Sequence, residues 1–312
     1  MQPRSLAEQL PFYQIKPAFV ETLYWLTRAG LNTVLATRIV SLLFATLLSL
    51  LVYAVLARRL LEWYALIAAV LITQLAGVSY LASLASPDVM SAFFLALACY
   101  LLLKGELPVA SSLMLLLSVL IRGDNLFLLL GLSVVSLAVP GMSKRSRNAI
   151  LVSTALSIPA QIYVQQASGY YGWEVHFYHR FVELLNFPSH GAEVSVAQYV
   201  WQFVSGLSIH PMDSTLSAVA LVAVIVLVRS SKTYDLLTGP QRIVIFGSIL
   251  GSMLRYVAYP QLELRLLAGV YVVILTLLVI AALPGIHENT QASINGSSDP
   301  TRPTTSPHQR AA

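Results

Sequence analysis

Charge is what this chain has least of. Only 11% of its 312 residues are charged, against 57% hydrophobic, and the mean hydropathy is +0.73. A soluble domain carries about a quarter charged residues, so the composition excludes an ordinary soluble protein and points to one polytopic membrane domain. Cysteine is nearly absent. Cys99 is the only one and lies inside an apolar run, which excludes an intramolecular disulfide and a thiolate metal cluster. A concentrated basic patch is lacking too. The basic residues are scattered at the ends of apolar runs. Despite a pI near 9.3, they read as charges that orient a membrane protein, and nucleic acid is not an expected partner. Met1 to Leu10 is polar and lacks the apolar centre of a cleavable signal.

What is present is a series of apolar runs, at 32–57, 62–82, 88–103, 107–121, 125–139, 149–165, 214–228, 243–258 and 264–283. The expected fold is therefore an all-α membrane protein, a polytopic bundle of about nine transmembrane helices with one aromatic-rich outer loop. Residues 1–31 form an outer interfacial segment, 32–284 the transmembrane domain with its outer loop at 166–213, and 285–312 a disordered cytoplasmic tail rich in Asn, Ser, Thr and Pro. Arg58 and Arg59, Lys104, Lys144 with Arg145 and Arg147, and Arg229 with Lys232 and Arg242 fall in alternate connections. The positive-inside rule assigns these to the cytoplasm and puts the connections around 85 and 122, the 166–213 loop and the 255–265 turn outside.

The stretch from Ser86 to Asp124 organises the rest. Ser86-Pro87-Asp88 opens an apolar run, Lys104-Gly105-Glu106 turns the chain, and a second run ends at Arg122-Gly123-Asp124. Two helices joined by that turn return Asp88 to the same membrane surface as Arg122 and Asp124. Ionisable groups at helix ends facing a bundle interior are a functional hypothesis by default. The plainer reading of Asp88 is an acid in the first turn of a helix after Pro87. A second group, Arg255 with Glu263 and Arg265, brackets the last outer turn. Either the arginines reach to lipid headgroups, or they bind phosphate, whose oxygens a guanidinium matches with paired hydrogen bonds.

The Phe19–Arg28 stretch mixes apolar and aromatic side chains with Glu21 and Arg28, as an interfacial helix does. In the 166–213 loop, His176, His179 and Glu183 share one helical face. Imidazole and carboxylate suit several divalent ions, but the spacing matches no zinc signature. A metal is not indicated, and an interfacial helix with its polar face toward water is the better reading. Asn295-Gly296-Ser297 has the form of a glycosylation sequon on the side of the membrane where it would not be used.

Three local patterns resemble polytopic GT-C-type glycosyltransferases, the group of the protein O-mannosyltransferases and the lipid A aminoarabinose transferases. Lys16-Pro17-Ala18-Phe19, then Tyr24-Trp25, then Arg38 is similar to the family's Lys-Pro-Pro-Leu…Tyr-Trp…Arg stretch, with Ala18 in place of the second proline. Asp88, the helical hairpin and Arg122-Gly123-Asp124 resemble its Asp…Arg-Pro-Asp hairpin, with Gly123 where proline is common. Tyr259-Pro260 followed by Glu263-Leu264-Arg265 is similar to the arginine-bearing turn before a late helix.

The resemblance, which spans roughly 11–283, implies an integral protein of the bacterial inner membrane. Such enzymes move a sugar from a polyprenyl-phosphate donor to a glycan, lipid or protein acceptor on the outer side. In that frame Lys16, Arg38, Arg122, Asp124, Arg255 and Arg265 bind substrate, the cations offsetting charge on the departing phosphate, and Asp88 is named for the catalytic role as the best remaining carboxylate within this sequence. The family places its catalytic aspartate in a first outer loop after an initial helix and upstream of the Lys-Pro stretch. Only Glu8 lies there in this sequence, so the reading expects an upstream helix and acidic pair beyond Met1. The competing expectations are a transporter or lipid flippase and an inactive copy that keeps the fold. Transporters often carry internal repeats and helices broken at mid-membrane; no repeat is visible, and the ionisable residues gather at helix ends.

Overall fold

The computed structural model describes residues 14–84, 86–169, 172–178, 181, 193–206, 235–260 and 263–282. Helix makes up 82% of it, and no strand occurs among the described residues, so the protein is all-α as expected. Twelve helices follow in chain order: α1 Pro17–Arg28, α2 Thr33–Leu56, α3 Glu62–Leu75, α4 Val78–Ser83, α5 Asp88–Lys104, α6 Pro108–Ile121, α7 Asn125–Ala138, α8 Lys144–Ala167, α9 Trp173–Phe177, α10 Val196–Ser205, α11 Gly239–Ala258 and α12 Leu264–Ala282.

Their ends follow from local chemistry. Proline at the first turn starts α1, α6 and α11, where its missing N–H is not needed. The Asn32 side chain accepts from Leu35 N at 2.8 Å to cap α2, and Ser143 accepts from Ser146 N at 3.1 Å to cap α8. One expectation needs correction. The apolar run 62–82 is not one helix. Gly77 sits at φ 70°, in the left-handed region open to glycine, and divides it into α3 and α4. Among the described residues only α2 is both long and apolar enough to cross a membrane unaided, whereas α3, α6 and α7 have 14 residues each. Fourteen residues rise about 21 Å, short of the roughly 30 Å hydrocarbon layer. The expected run 214–228, residues 170–171, 179–180, 182–192 and 207–213 of the 166–213 loop, and the 285–312 tail lie outside the described residues.

The connections alternate between two ends. At one end, Arg58 and Lys104 lie over the Tyr100 ring at 5.4 and 5.5 Å, and the Gly141 and Gly239 backbones meet. Asp88, Arg122 and Arg255 lie at the opposite ends of their helices.

Polarity is distributed unusually. Leu42, Leu50, Trp63, Ile67, Leu71 and Leu75 on α2 and α3 are exposed. Ser111, Ser118, Ser133, Ser136, Ser153 and Ser252 are buried between helices. Small hydroxylated residues at helix contacts and large apolar ones outside are the pattern of packing in lipid.

α7 and α11 approach each other closely. Gly247 and Gly251 form a Gly-x-x-x-Gly face against α7. A Cβ on Gly247 would lie 2.8 Å from Leu132 Cα, and one on Gly251 2.5 Å from Leu128 Cα. Arg255 lies one further turn along that face, so the packing that joins the helices also delivers Arg255 to the start of α7.

Candidate functional site

The α5–α6 hairpin closes as the sequence implies, and its open end carries an ionic cluster. Asp88 is the first residue of α5, but its side chain caps nothing. It is buried, pairs with Arg122, and accepts a hydrogen bond from Ser86 Oγ at 2.9 Å. Arg122 ends α6 in extended backbone and donates through Nη2 to Asp124 Oδ2 at 3.2 Å. The same oxygen receives Arg255 Nε at 3.3 Å. Asp124 thus bridges two buried guanidinium groups from different helices. Beneath the cluster, Asn125 Nδ2 donates to Ser91 Oγ at 2.7 Å and to the Ser118 carbonyl at 3.1 Å, which locks α5, α6 and α7 together. At the start of α12, Glu263 is buried and pairs with Arg265, whose side chain stays 35% exposed. Arg255 is only 5% exposed, so it does not reach out to a surface.

Ser86, Asp88, Arg122, Asp124, Arg255 and Arg265 line a cavity of about 930 Å³. One wall is a stripe of α1 and the residues before it, with Lys16, Phe19, Val20, Leu23, Tyr24 and Thr27. Another carries Asp88, Arg122, Gly123, Asp124, Arg255 and Arg265, and a third carries Gln161 and Gln165 of α8 with Trp173 and His176 of α9. Burial pushes the Lys16 ammonium below the usual lysine range, and Arg122 adds to the shift while Asp88 and Asp124 oppose it. Burial alone would raise the Asp124 carboxyl, but Arg122 and Arg255, with His176 nearby, hold it well below the usual carboxylate range. Four cations, Lys16, Arg122, Arg255 and Arg265, meet three carboxylates, Asp88, Asp124 and Glu263. The site carries one net positive charge with His176 neutral and is suited to an anion.

Six of the seven residues singled out from sequence therefore meet at one cavity: Lys16, Asp88, Arg122, Asp124, Arg255 and Arg265. Arg38 does not join them. It is exposed on α2, on the side away from the buried Ala36, Thr37, Val40 and Ser41, and does not line the cavity. His176 lies edge-on to Tyr259 with centroids 5.2 Å apart. His179 and Glu183, its expected companions, lie outside the described residues, and no group of three or more potential ligands occurs among those described. Sequence reasoning missed Gln161 and Gln165. Two amides four residues apart, closing an otherwise apolar run, were the available signal. Comparison with family models, curated proteins and solved structures finds no match.

Proposed function

We propose that the protein is a polytopic membrane glycosyltransferase of the GT-C type, which moves a sugar from a polyprenyl-phosphate donor to an acceptor at the outer face of the membrane. One observation carries the reading: cations and carboxylates from separate segments line one large cavity that also has apolar walls. Lys16, Asp88, Arg122, Asp124, Arg255 and Arg265 share it with Phe19, Val20, Leu23, Leu126 and Phe127. A lipid phosphate has both characters, an anionic head and a hydrocarbon stem. At about 930 Å³ the cavity is near the upper end of small-molecule sites, which run to roughly 1,000 Å³. The charged groups gather at one end of the helices, as suits a headgroup site and not a mid-membrane transport relay.

The membrane setting rests on the exposed apolar faces of α2 and α3, the buried serines and the composition. About nine crossings follow if the shorter helices place their polar ends at the interface or tilt within the bundle. Positive-inside orientation then puts the cavity outside, in a bacterial inner membrane by the family likeness.

In the reaction the acceptor hydroxyl oxygen bonds to the anomeric carbon as the bond from that carbon to the phosphate oxygen breaks. The phosphate leaves with the bonding pair, and the acceptor proton passes to a carboxylate. Asp88 is the carboxylate assigned to the acceptor. Arg122 and Ser86 fix its position, and each of its oxygens retains a lone pair for a further donor. Arg265, the most accessible arginine of the cluster, meets the departing phosphate, while Arg255 and Arg122 supply fixed positive charge behind it. Lys16 approaches the same charge from the α1 side.

The test is transfer of label from radiolabelled glycosyl polyprenyl phosphates in membrane vesicles, by the parent and by Asp88→Asn. The reading expects transfer by the parent and a loss of 100-fold or more in the variant, on the order of a general acid–base contribution. Undiminished transfer by Asp88→Asn removes Asp88 from the reaction.

A further inference from the structure

We infer that Gln161 is a ligand-reading residue, whose carboxamide hydrogen-bonds a neutral, hydroxyl-bearing ring seated beside the charged cluster. The inference rests on the transferase reading for the identity of the ring as a glycosyl group. Gln161 is only 7% exposed and lines the cavity, and its Oε1 has no hydrogen-bond partner among the described residues. A buried amide acceptor without a partner is costly, and such groups in native interiors call for a specific explanation. Gln161 lines the cavity, and a turn of its carboxamide brings the unpartnered oxygen to that wall, where a ligand hydroxyl can complete it.

The surroundings are arranged around that amide. Gly123 lies against it, and a Cβ there would sit 2.5 Å from Gln161 Nε2. A residue larger than glycine would displace the carboxamide. Gly123 is flanked in sequence by Arg122 and Asp124, so the neutral position adjoins the anion site directly. Gln165, one turn further along α8, lines the same wall. Trp173 completes it. Its indole Nε1 donates to the Ala258 carbonyl at 2.8 Å, which fixes a broad apolar ring at the cavity edge. A bare phosphate can accept from the carboxamide N–H, but it leaves the unpartnered Oε1 unsatisfied and presents no face to the indole. A sugar uses all of these groups, because each hydroxyl both donates and accepts as a carboxamide does, and its C–H face can lie on an aromatic ring.

The experiment measures binding of three probes to the purified full chain in detergent: polyprenyl phosphate, its glucosyl ester and its arabinosyl ester. The parent should bind at least one ester more tightly than the bare carrier. Gln161→Leu should reduce that preference roughly 2- to 10-fold, the value of one hydrogen bond. Gly123→Ala should do the same by displacing the Gln161 carboxamide without substituting it. A preference that survives both substitutions overturns the inference, as does a parent that binds the bare carrier and favours neither ester, and both outcomes leave the phosphate site standing. A parent that binds none of the three probes overturns the transferase reading and this inference with it.

Discussion

Arg255 and Asp124 are 131 positions apart in the chain, yet Arg255 Nε donates to Asp124 Oδ2 at 3.3 Å. The contact joins α11 to the start of α7 and draws in Arg122 through the same carboxylate oxygen. It makes one unit of two sequence motifs, the hairpin end and the late arginine turn. Asp124 neutralises part of the arginine charge that would otherwise be buried alone, so it has a structural role beside its place in the proposed phosphate site.

That dual role gives a pH signature. The Asp124 carboxyl is held below its usual range in the folded protein, so between that lowered value and the unfolded value near 3.9 the unfolded chain binds more protons. Stability from this group is complete above about pH 4 and is lost as pH falls through the folded value. Asp124→Asn should lower stability by about 1.5–3 kcal/mol at neutral pH and flatten the acid limb. Unfolding midpoints of parent and variant from pH 3 to 7 in one detergent provide the check. Parallel acid limbs would contradict the assignment.

The helix contact that delivers Arg255 can be tested away from the charges. A Cβ at Gly251 would lie 2.5 Å from Leu128 Cα and 2.8 Å from the Phe127 carbonyl oxygen, both backbone atoms that cannot step aside. Gly251→Val should therefore separate α7 from α11, cost about 1–3 kcal/mol by overpacking, and weaken anion binding in the cavity although residue 251 does not line it. Thermal unfolding with a phosphate-ligand titration measures both effects. Normal stability and binding in Gly251→Val would mean that the close approach does not position Arg255.

How much of this was legible in the sequence depends on how rare polar residues are in each stretch. The Asp88–Arg122 pair could be read because an acid and a base closed two apolar runs on either side of a short turn. The Gly247-x-x-x-Gly251 spacing was visible, but nothing in it named α7 as the partner. The break at Gly77 was hidden because an apolar run looks alike whether or not one glycine within it is left-handed. That Arg38 stands apart from the cavity was hidden for a related reason. In the almost uniformly apolar α2, no contrast between faces marks which side packs, so only the structure shows that Ala36, Thr37, Val40 and Ser41 turn inward and Arg38 outward. Gln161 was overlooked because an amide at the end of an apolar run reads as a residue at the membrane surface, and only the fold closes α8 over Gly123.

Orientation in the membrane has its own test. Cys99 is 1% exposed, so the native thiol provides a quiet background for added cysteines. Glu193 and Arg145 are both exposed and belong to connections that the positive-inside rule assigns to opposite sides. In intact cells an impermeant maleimide should label Glu193→Cys and spare Arg145→Cys. Labelling at 145 with protection at 193 would reverse the orientation and place the cavity in the cytoplasm.

The most direct measurement of the central claim is the affinity of the purified chain for polyprenyl phosphate, compared among the parent, Arg265→Ala, Arg265→Lys and Arg38→Ala. Arg265 is half open at the cavity wall and held by Glu263. Removing its contact with phosphate should cost about 1.5–3 kcal/mol, roughly a 10- to 150-fold loss of affinity. Lysine should restore only part of it if the contact is two-pronged. Arg38→Ala, exposed on α2 and absent from the cavity lining, should bind like the parent. Affinity undiminished in Arg265→Ala, or reduced equally in Arg38→Ala, would contradict a lipid-phosphate site at this cavity.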